Sequence, residues 1–256
     1  MHLHDALILF FAAFVAGVLN SIFGGGSLLS FPALLLIGVP PIHANATNTA
    51  ALWPGTVAST AAYRREVAGH ARLLPLLTIV GVAGGFIGAK ILLRTPPSTF
   101  MRLIPWLLLV GTLFFVYGVR IAHRVRERTR HRPRVSAATR AMTVVLRLLI
   151  SVYIGYFGAG VGILVAAAFA LMGLESVHAI SGLRTYLVSV CNLVAILTFI
   201  AAGAVLWPQA LVMVTGAALG GYGGAHYAQK MDPRRVRQLV ILIGFATSAY
   251  FFIRTA

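Results

Sequence analysis

Residues 6 to 63, 73 to 89, 103 to 119, 148 to 174, 185 to 229 and 238 to 253 contain no Asp, Glu, Lys or Arg. No water-facing surface can be assembled from such stretches. Globular proteins average roughly a quarter charged residues, and here the share is 10% of 256. A helix needs about 20 apolar residues to cross a bilayer, or about 17 at the short end. The runs meet that length, and the longest have room for more than one crossing. The sequence therefore predicts an all-α polytopic membrane protein. The first run begins at Ala6 with no basic leader before it, so it is expected to be retained as a span rather than removed as a signal peptide.

The charges that do occur are lopsided, with 21 Lys and Arg against 5 Asp and Glu for a formal net charge of +16. Such an excess serves either a nucleic acid or orientation in a membrane. Eight of the arginines fall between Arg120 and Arg140, a polar loop flanked by apolar runs. The positive-inside rule expects that pattern on the cytoplasmic side. No basic folded domain surrounds the loop to position bases, so nucleic acid is not expected as a partner. Cys191 is the single cysteine; it has no intramolecular disulfide partner and is expected to be a buried structural thiol.

Gly, Pro and Arg punctuation divides the runs into about eight membrane elements. A broken segment from Ala6 to Ile37 precedes spans near 46 to 62, 73 to 93 and 103 to 119. A second broken segment, 142 to 171, precedes spans near 185 to 202, 209 to 228 and 236 to 253. The first membrane repeat is thus expected at 1–119, a basic cytoplasmic linker at 120–141 and the second repeat at 142–256. The halves also correspond residue by residue. Phe23-Gly24-Gly25-Gly26 falls on Phe157-Gly158-Ala159-Gly160. With one inserted residue, Gly38 to Ala44 falls on Gly173 to Ala179, and Gly84 to Ala89 falls on Gly220 to Ala225. Duplicated halves are common among secondary transporters.

Loop charge bears on how the halves are related. If each broken segment crosses fully, the halves are parallel and the loops divide 12 basic residues against 8. If each returns to its starting side, the halves are inverted. The loops at 63–72, 120–140, 172–184 and 229–237 then share one side with 3, 8, 1 and 4 basic residues, and Lys90, Arg94, Arg102 and Arg254 lie on the other, with only Arg147, inside the fifth element, left out. The positive-inside rule favours inversion, with both termini outside. Small residues at four-residue spacing, Gly81/Gly85, Gly84/Gly88 and Gly216/Gly220/Gly224, are expected to let helix backbones approach closely.

The first break reads Asn20-Ser21-Ile22-Phe23-Gly24-Gly25-Gly26-Ser27, with Pro32 close behind. Glycine weakens a helix by roughly 0.8 to 1 kcal/mol relative to Ala, so three in succession predict an interruption. Backbone freed at membrane depth must be buried in protein or line a polar cavity, and a helix restarting near Ser27 would aim unpaired N–H groups at an anion. Candidate binding residues are therefore Gly24, Gly25, Gly26 and Ser27, with Gly158, Gly160 and Gly162 at the matching break. Polar elements follow each break, and Asn45, Asn48, Thr49 and Ser181 are read as side-chain donors. Arg184, whose guanidinium forks onto oxyanions, is the sharpest candidate; the alternative is an interfacial arginine snorkelling to headgroups.

His43 and His178 are equivalent under the repeat and are candidates for proton coupling, although both also suit helix starts at the water interface. Without thiolates or carboxylates beside them they make a poor metal site, so no metal and no cofactor is expected. Trp53, Trp207 and Lys90 are read as interfacial anchors. An intramembrane hydrolase using Ser27 and His226 is conceivable only if nucleophile and base meet, and the repeat explains the glycines without catalysis. The protein is accordingly not expected to be an enzyme.

The stretch FGGGSLLSFPALLLIGVPPIHANATNT, together with Phe157-Gly158-Ala159-Gly160, His178-Ala179 and the paired GG-x-x-GA blocks, resembles the sulfite exporter TauE/SafE family of bacterial membrane proteins. The resemblance spans nearly the whole chain. It implies a transporter in the bacterial inner membrane that moves sulfite, sulfonates or related small organic anions. The second half departs from the pattern, with Ala159 and Ala166 for the triple glycine and proline, and with Ser181-Gly182-Leu183-Arg184 where a Gly-Thr-type element is expected. The expected partners are the lipid bilayer and a small anionic substrate, with homo-oligomerisation left open. The alternative is a non-transporting scaffold whose breaks serve packing and whose Arg-rich loop binds a partner or anionic lipid.

Overall fold

The computed structural model describes residues 1–22, 25–129, 137–171, 176–227 and 233–255. Among them every regular element is helical. The first half contains α1 (Leu3–Ile22), α2 (Ser27–Leu36), α3 (Pro41–Ala62), the short α4 (Arg64–Gly69), α5 (Leu74–Arg94) and α6 (Pro97–Thr129). The second contains α7 (Ala137–Tyr156), α8 (Val161–Leu171), α9 (Val177–Ala201), α10 (Trp207–Tyr227) and α11 (Pro233–Thr255). Each broken segment is thus two helices, α1 with α2 and α7 with α8.

Helix starts lie where local chemistry puts them. Pro41 begins α3 at a position where its missing N–H costs nothing, and the Ser176 hydroxyl accepts from the Ala179 N–H at 3.3 Å to cap α9. Both helices begin several residues earlier than the apolar pattern alone predicts, so His43 to Thr49 and His178 to Thr185 are helical turns, not loops preceding a span. Likewise α6 continues past 119 into the Arg-rich segment as far as Thr129, since Arg and Glu are good helix formers.

Large apolar side chains are exposed in number, while several polar ones are buried beside the apolar core. Leu211, Ile79 and Leu197 are 62%, 67% and 57% exposed, whereas Thr47 is 0% and Asn45 and Asn48 are each 2% exposed. Large exposed apolar area of this kind marks a surface that meets something other than water. Three helices among the described residues, at Leu3–Asn20, Ala71–Arg94 and His178–Ala201, are long and apolar enough to cross a membrane.

The main packings join one half to the other, and they come in sequence-related pairs. α1 lies on α10 while α7 lies on α5, and α10 meets α3 while α5 meets α9. Glycine makes these approaches close. A Cβ at Gly216 or Gly220 would fall on the backbone carbonyls of Phe10 or Phe14, and one at Gly84 or Gly88 would fall on Ser151 or the Val152 carbonyl. The rising residue numbers on both sides show that α1 runs parallel to α10 and α5 parallel to α7. By contrast α3 and α9 are antiparallel, since His43 meets Ala204, Trp53 meets Ser189 and Tyr63 meets Gly182. Trp53 therefore joins these two helices, donating from Nε1 to the Ser189 carbonyl at 3.1 Å, rather than anchoring at an interface. Cys191 is fully buried, with its backbone against Gly85.

Gly220→Ala and Gly88→Ala should each cost about 1–3 kcal/mol through overpacking, whereas Gly55→Ala, with open space where its Cβ would sit, should cost nothing. Melting temperatures of the detergent-solubilised variants check the contrast.

Candidate functional site

Both interruptions fold the chain back. Gly26 is pressed against the Ala16 carbonyl, so α2 starts beside α1 rather than beyond it. In the second half α7 ends where Gly158 takes φ +69° and Gly160 takes φ +72°, a left-handed conformation that L side chains resist. α8 then returns along α7, and the Phe169 ring lies 5.6 Å from the Arg147 guanidinium carbon. A side chain at Gly160 would also strike Gly111 of α6.

The two breaks meet around one cavity of about 80 Å³, roomy enough for several waters or a small polyatomic ion. Asn20 and Ser27 line it from the first break, and Ile154, Phe157, Gly158, Val161 and Gly162 from the second. α3 contributes a stripe at helical spacing, Thr49, Leu52, Thr56 and Ser59, and α9 contributes Arg184, Thr185, Val188 and Asn192. The offsets that align the halves pair Asn20 with Ile154, Ser27 with Val161, and Thr49 with Arg184. Arg184 is the one cationic side chain among the described residues of the lining.

Of the residues expected at the site, Ser27, Thr49, Gly158, Gly162 and Arg184 are brought together here. Others serve the framework. The Ser30 hydroxyl donates to Asn48 Oδ1, and Asn45 Nδ2 donates to the Tyr156 carbonyl at 3.1 Å, tying α2, α3 and α7 together behind the cavity. Gly25 and Gly26 are buried, the Gly25 and Gly26 carbonyls accepting from the first turn of α2, and Gly160 packs on α6. Ser181 is half-buried, and its carbonyl accepts from Thr185. Gly24 lies outside the described residues. Neither histidine lines the cavity: His43 Nδ1 donates to the Ala204 carbonyl at 2.9 Å, and His178 is exposed beside the Tyr63 ring. Among the described residues no group of three or more His, Cys, Asp and Glu is placed to hold a metal.

Donor geometry narrows the site further. The hydroxyls of Thr49, Thr56, Ser59 and Thr185 donate back to carbonyls of their own helices at 2.8 to 3.1 Å. A hydroxyl has one proton, so these four turn lone pairs, not donors, toward the cavity. Asn20 behaves differently. Its Oδ1 accepts the Gly26 N–H at 2.8 Å, which fixes the amide and leaves its NH₂ group as a donor. Asn20, Ser27, Arg184 and Asn192 are thus the side chains fitted to an oxyanion. Asn20 and Asn192 were not among the expected residues, although a lone Asn inside an apolar span is a functional signal in its own right.

Residues 9–251 match the family described as Sulfite exporter TauE/SafE. A "Probable membrane transporter protein ORF9" of Sinorhizobium sp is 30% identical over 246 residues, covering 95% of this chain and 90% of the relative. A "Probable membrane transporter protein" of Haemophilus influenzae is 27% identical, covering 94% and 92%. The "Probable membrane transporter protein YfcA" of Escherichia coli K12 is also 27% identical, covering 94% and 87%. No solved structure matches.

Asn20→Ala strands the buried Gly26 N–H, which should cost about 1–3 kcal/mol and lower the melting temperature. Asn20→Asp keeps an acceptor for that N–H and should lose less.

Proposed function

The chain belongs to the sulfite exporter TauE/SafE family of membrane transporters, and from that premise we propose that it is a secondary transporter or facilitator for a small anion. The substrate class is sulfite, a sulfonate or a related organic anion, and the location is the bacterial inner membrane, as the bacterial relatives and the apolar helices suggest. The observation that carries the proposal is the convergence of both breaks and Arg184 on one cavity with polar lining. A scaffold has no use for that convergence, since breaks made only for packing need neither meet nor stay open.

Inverted repeats give the machine its symmetry. Inversion requires each broken segment to return to its starting side, and it is supported by the doubling back of α2 along α1 and of α8 along α7. It is supported also by the exchange of packing partners between halves. Binding begins with Arg184, which supplies charge and a planar fork. Asn20, Ser27 and Asn192 replace hydration by neutral donors, and α8, which starts at Val161 in the lining, points the positive end of its dipole the same way.

Alternating access is supported by the packing at one end of the cavity. Closure toward the starts of α3 and α6 is supported by edge-to-face contacts of Phe31 and Phe100 with Phe157 and of Tyr156 with Phe100, at centroid distances of 5.2 to 6.3 Å. The Thr47 hydroxyl, accepting from the Leu206 N–H at 3.0 Å, supports closure at the same end. Its lining continues instead toward Ser59 and Arg184, near α4, the end that the basic loop at 63–72 assigns to the cytoplasm. Rocking of one half against the other would open the aromatic end and close this one.

Proteoliposomes holding the purified protein should show sulfite flux above protein-free vesicles. Arg184→Ala should cut it by about tenfold or more, the equivalent of one charged hydrogen bond, and Arg184→Lys should fall between. Absence of flux with both sulfite and small sulfonates would refute transport, and unchanged flux in Arg184→Ala would remove that residue from the site.

A further inference from the structure

The two walls built by the breaks are chemically unlike. Under the offset that places Phe23 on Phe157, the polar Asn20 and Ser27 of the first half correspond to the apolar Ile154 and Val161 of the second, and all four line the same cavity. Ile154 and Val161 are only 2% and 4% exposed, and Phe157 beside them is held edge-on by Phe31 and Phe100. No polar side chain interrupts this patch on the second break, so an oxyanion oxygen placed against it meets at most backbone N–H groups at the start of α8, whereas the first break and α9 offer Asn20, Ser27 and Arg184. Alkyl carbon placed there would be buried from water at a gain. Meanwhile the described lining holds a single cation, Arg184, which matches one negative charge.

Resting on the transport function proposed above, we infer that the site selects a monoanion with a short apolar body over a bare inorganic oxyanion. The oxyanion head binds Asn20, Ser27 and Arg184, and the body lies on Ile154, Phe157 and Val161. Selectivity comes from the loss of polarity in one repeat, not from an added group. The cavity size limits the body to a few carbons.

The test is uptake into proteoliposomes of labelled sulfite and labelled propanesulfonate, with unlabelled methane-, ethane- and propanesulfonate as competitors. Each added methylene should improve competition by about fourfold until the wall is filled, and propanesulfonate itself should be carried. Val161→Ser should flatten the series. Equal competition by the three sulfonates, or sulfite outcompeting all of them, overturns the inference while leaving transport standing. Uptake of neither labelled anion overturns both. Because the wild-type series is decisive alone, the outcome does not depend on how well the variant folds.

Discussion

Hydrocarbon offers no hydrogen bonds to an opened helix, and the rest of this structure depends on how that constraint is met. Two helices are interrupted, and the loose ends of each must find protein or trapped water. The chain meets the requirement with side chains set beside each break. Gly26 hands its N–H to Asn20, Tyr153 donates its hydroxyl to the Ala159 carbonyl, and Asn45 caps the Tyr156 carbonyl at the end of α7. What is left unfilled between them is the cavity. Asn20 does both jobs, satisfying the broken backbone and lining the cavity.

Glycine has two distinct roles in this arrangement. At Gly158 and Gly160 it permits left-handed backbone that ends one helix and starts the next. Along α5 and α10 it serves close approach, letting α10 lie on α1 and α5 on α7. The second role holds the helices together, and the first shapes one wall of the cavity. Dispersion at such contacts replaces the hydrophobic drive that lipid cannot supply.

Much of the architecture was legible from residue order. Charge-free runs specify apolar helices, and glycine runs specify where they break. The pairing of Gly24–Gly26 with Gly158–Gly160 anticipated that the interruptions belong together. Exact helix starts were less legible, because Pro41 and Ser176 begin α3 and α9 ahead of the apolar pattern. Donor assignments were least legible. Thr49 stands where a donor was expected, but its proton goes to the Asn45 carbonyl, a choice made by helix geometry that residue type does not reveal. Asn45 and Asn48 have the right chemistry and the wrong side of α3, and their bonds run to α7 and α2 instead. Asn20 and Asn192 are each lone amides in apolar surroundings, and only the fold shows that they face the same space.

The central claim is that the two breaks form one anion site. Single cysteines placed at Ser27→Cys and Gly162→Cys, in a Cys191→Ala background, test it through labelling by a small water-soluble thiol reagent with and without ethanesulfonate, which does not react with the reagent. Both positions should label, and the same concentration of ethanesulfonate should protect both. Protection of one position alone, or labelling of both that ethanesulfonate leaves unchanged, would contradict a shared site.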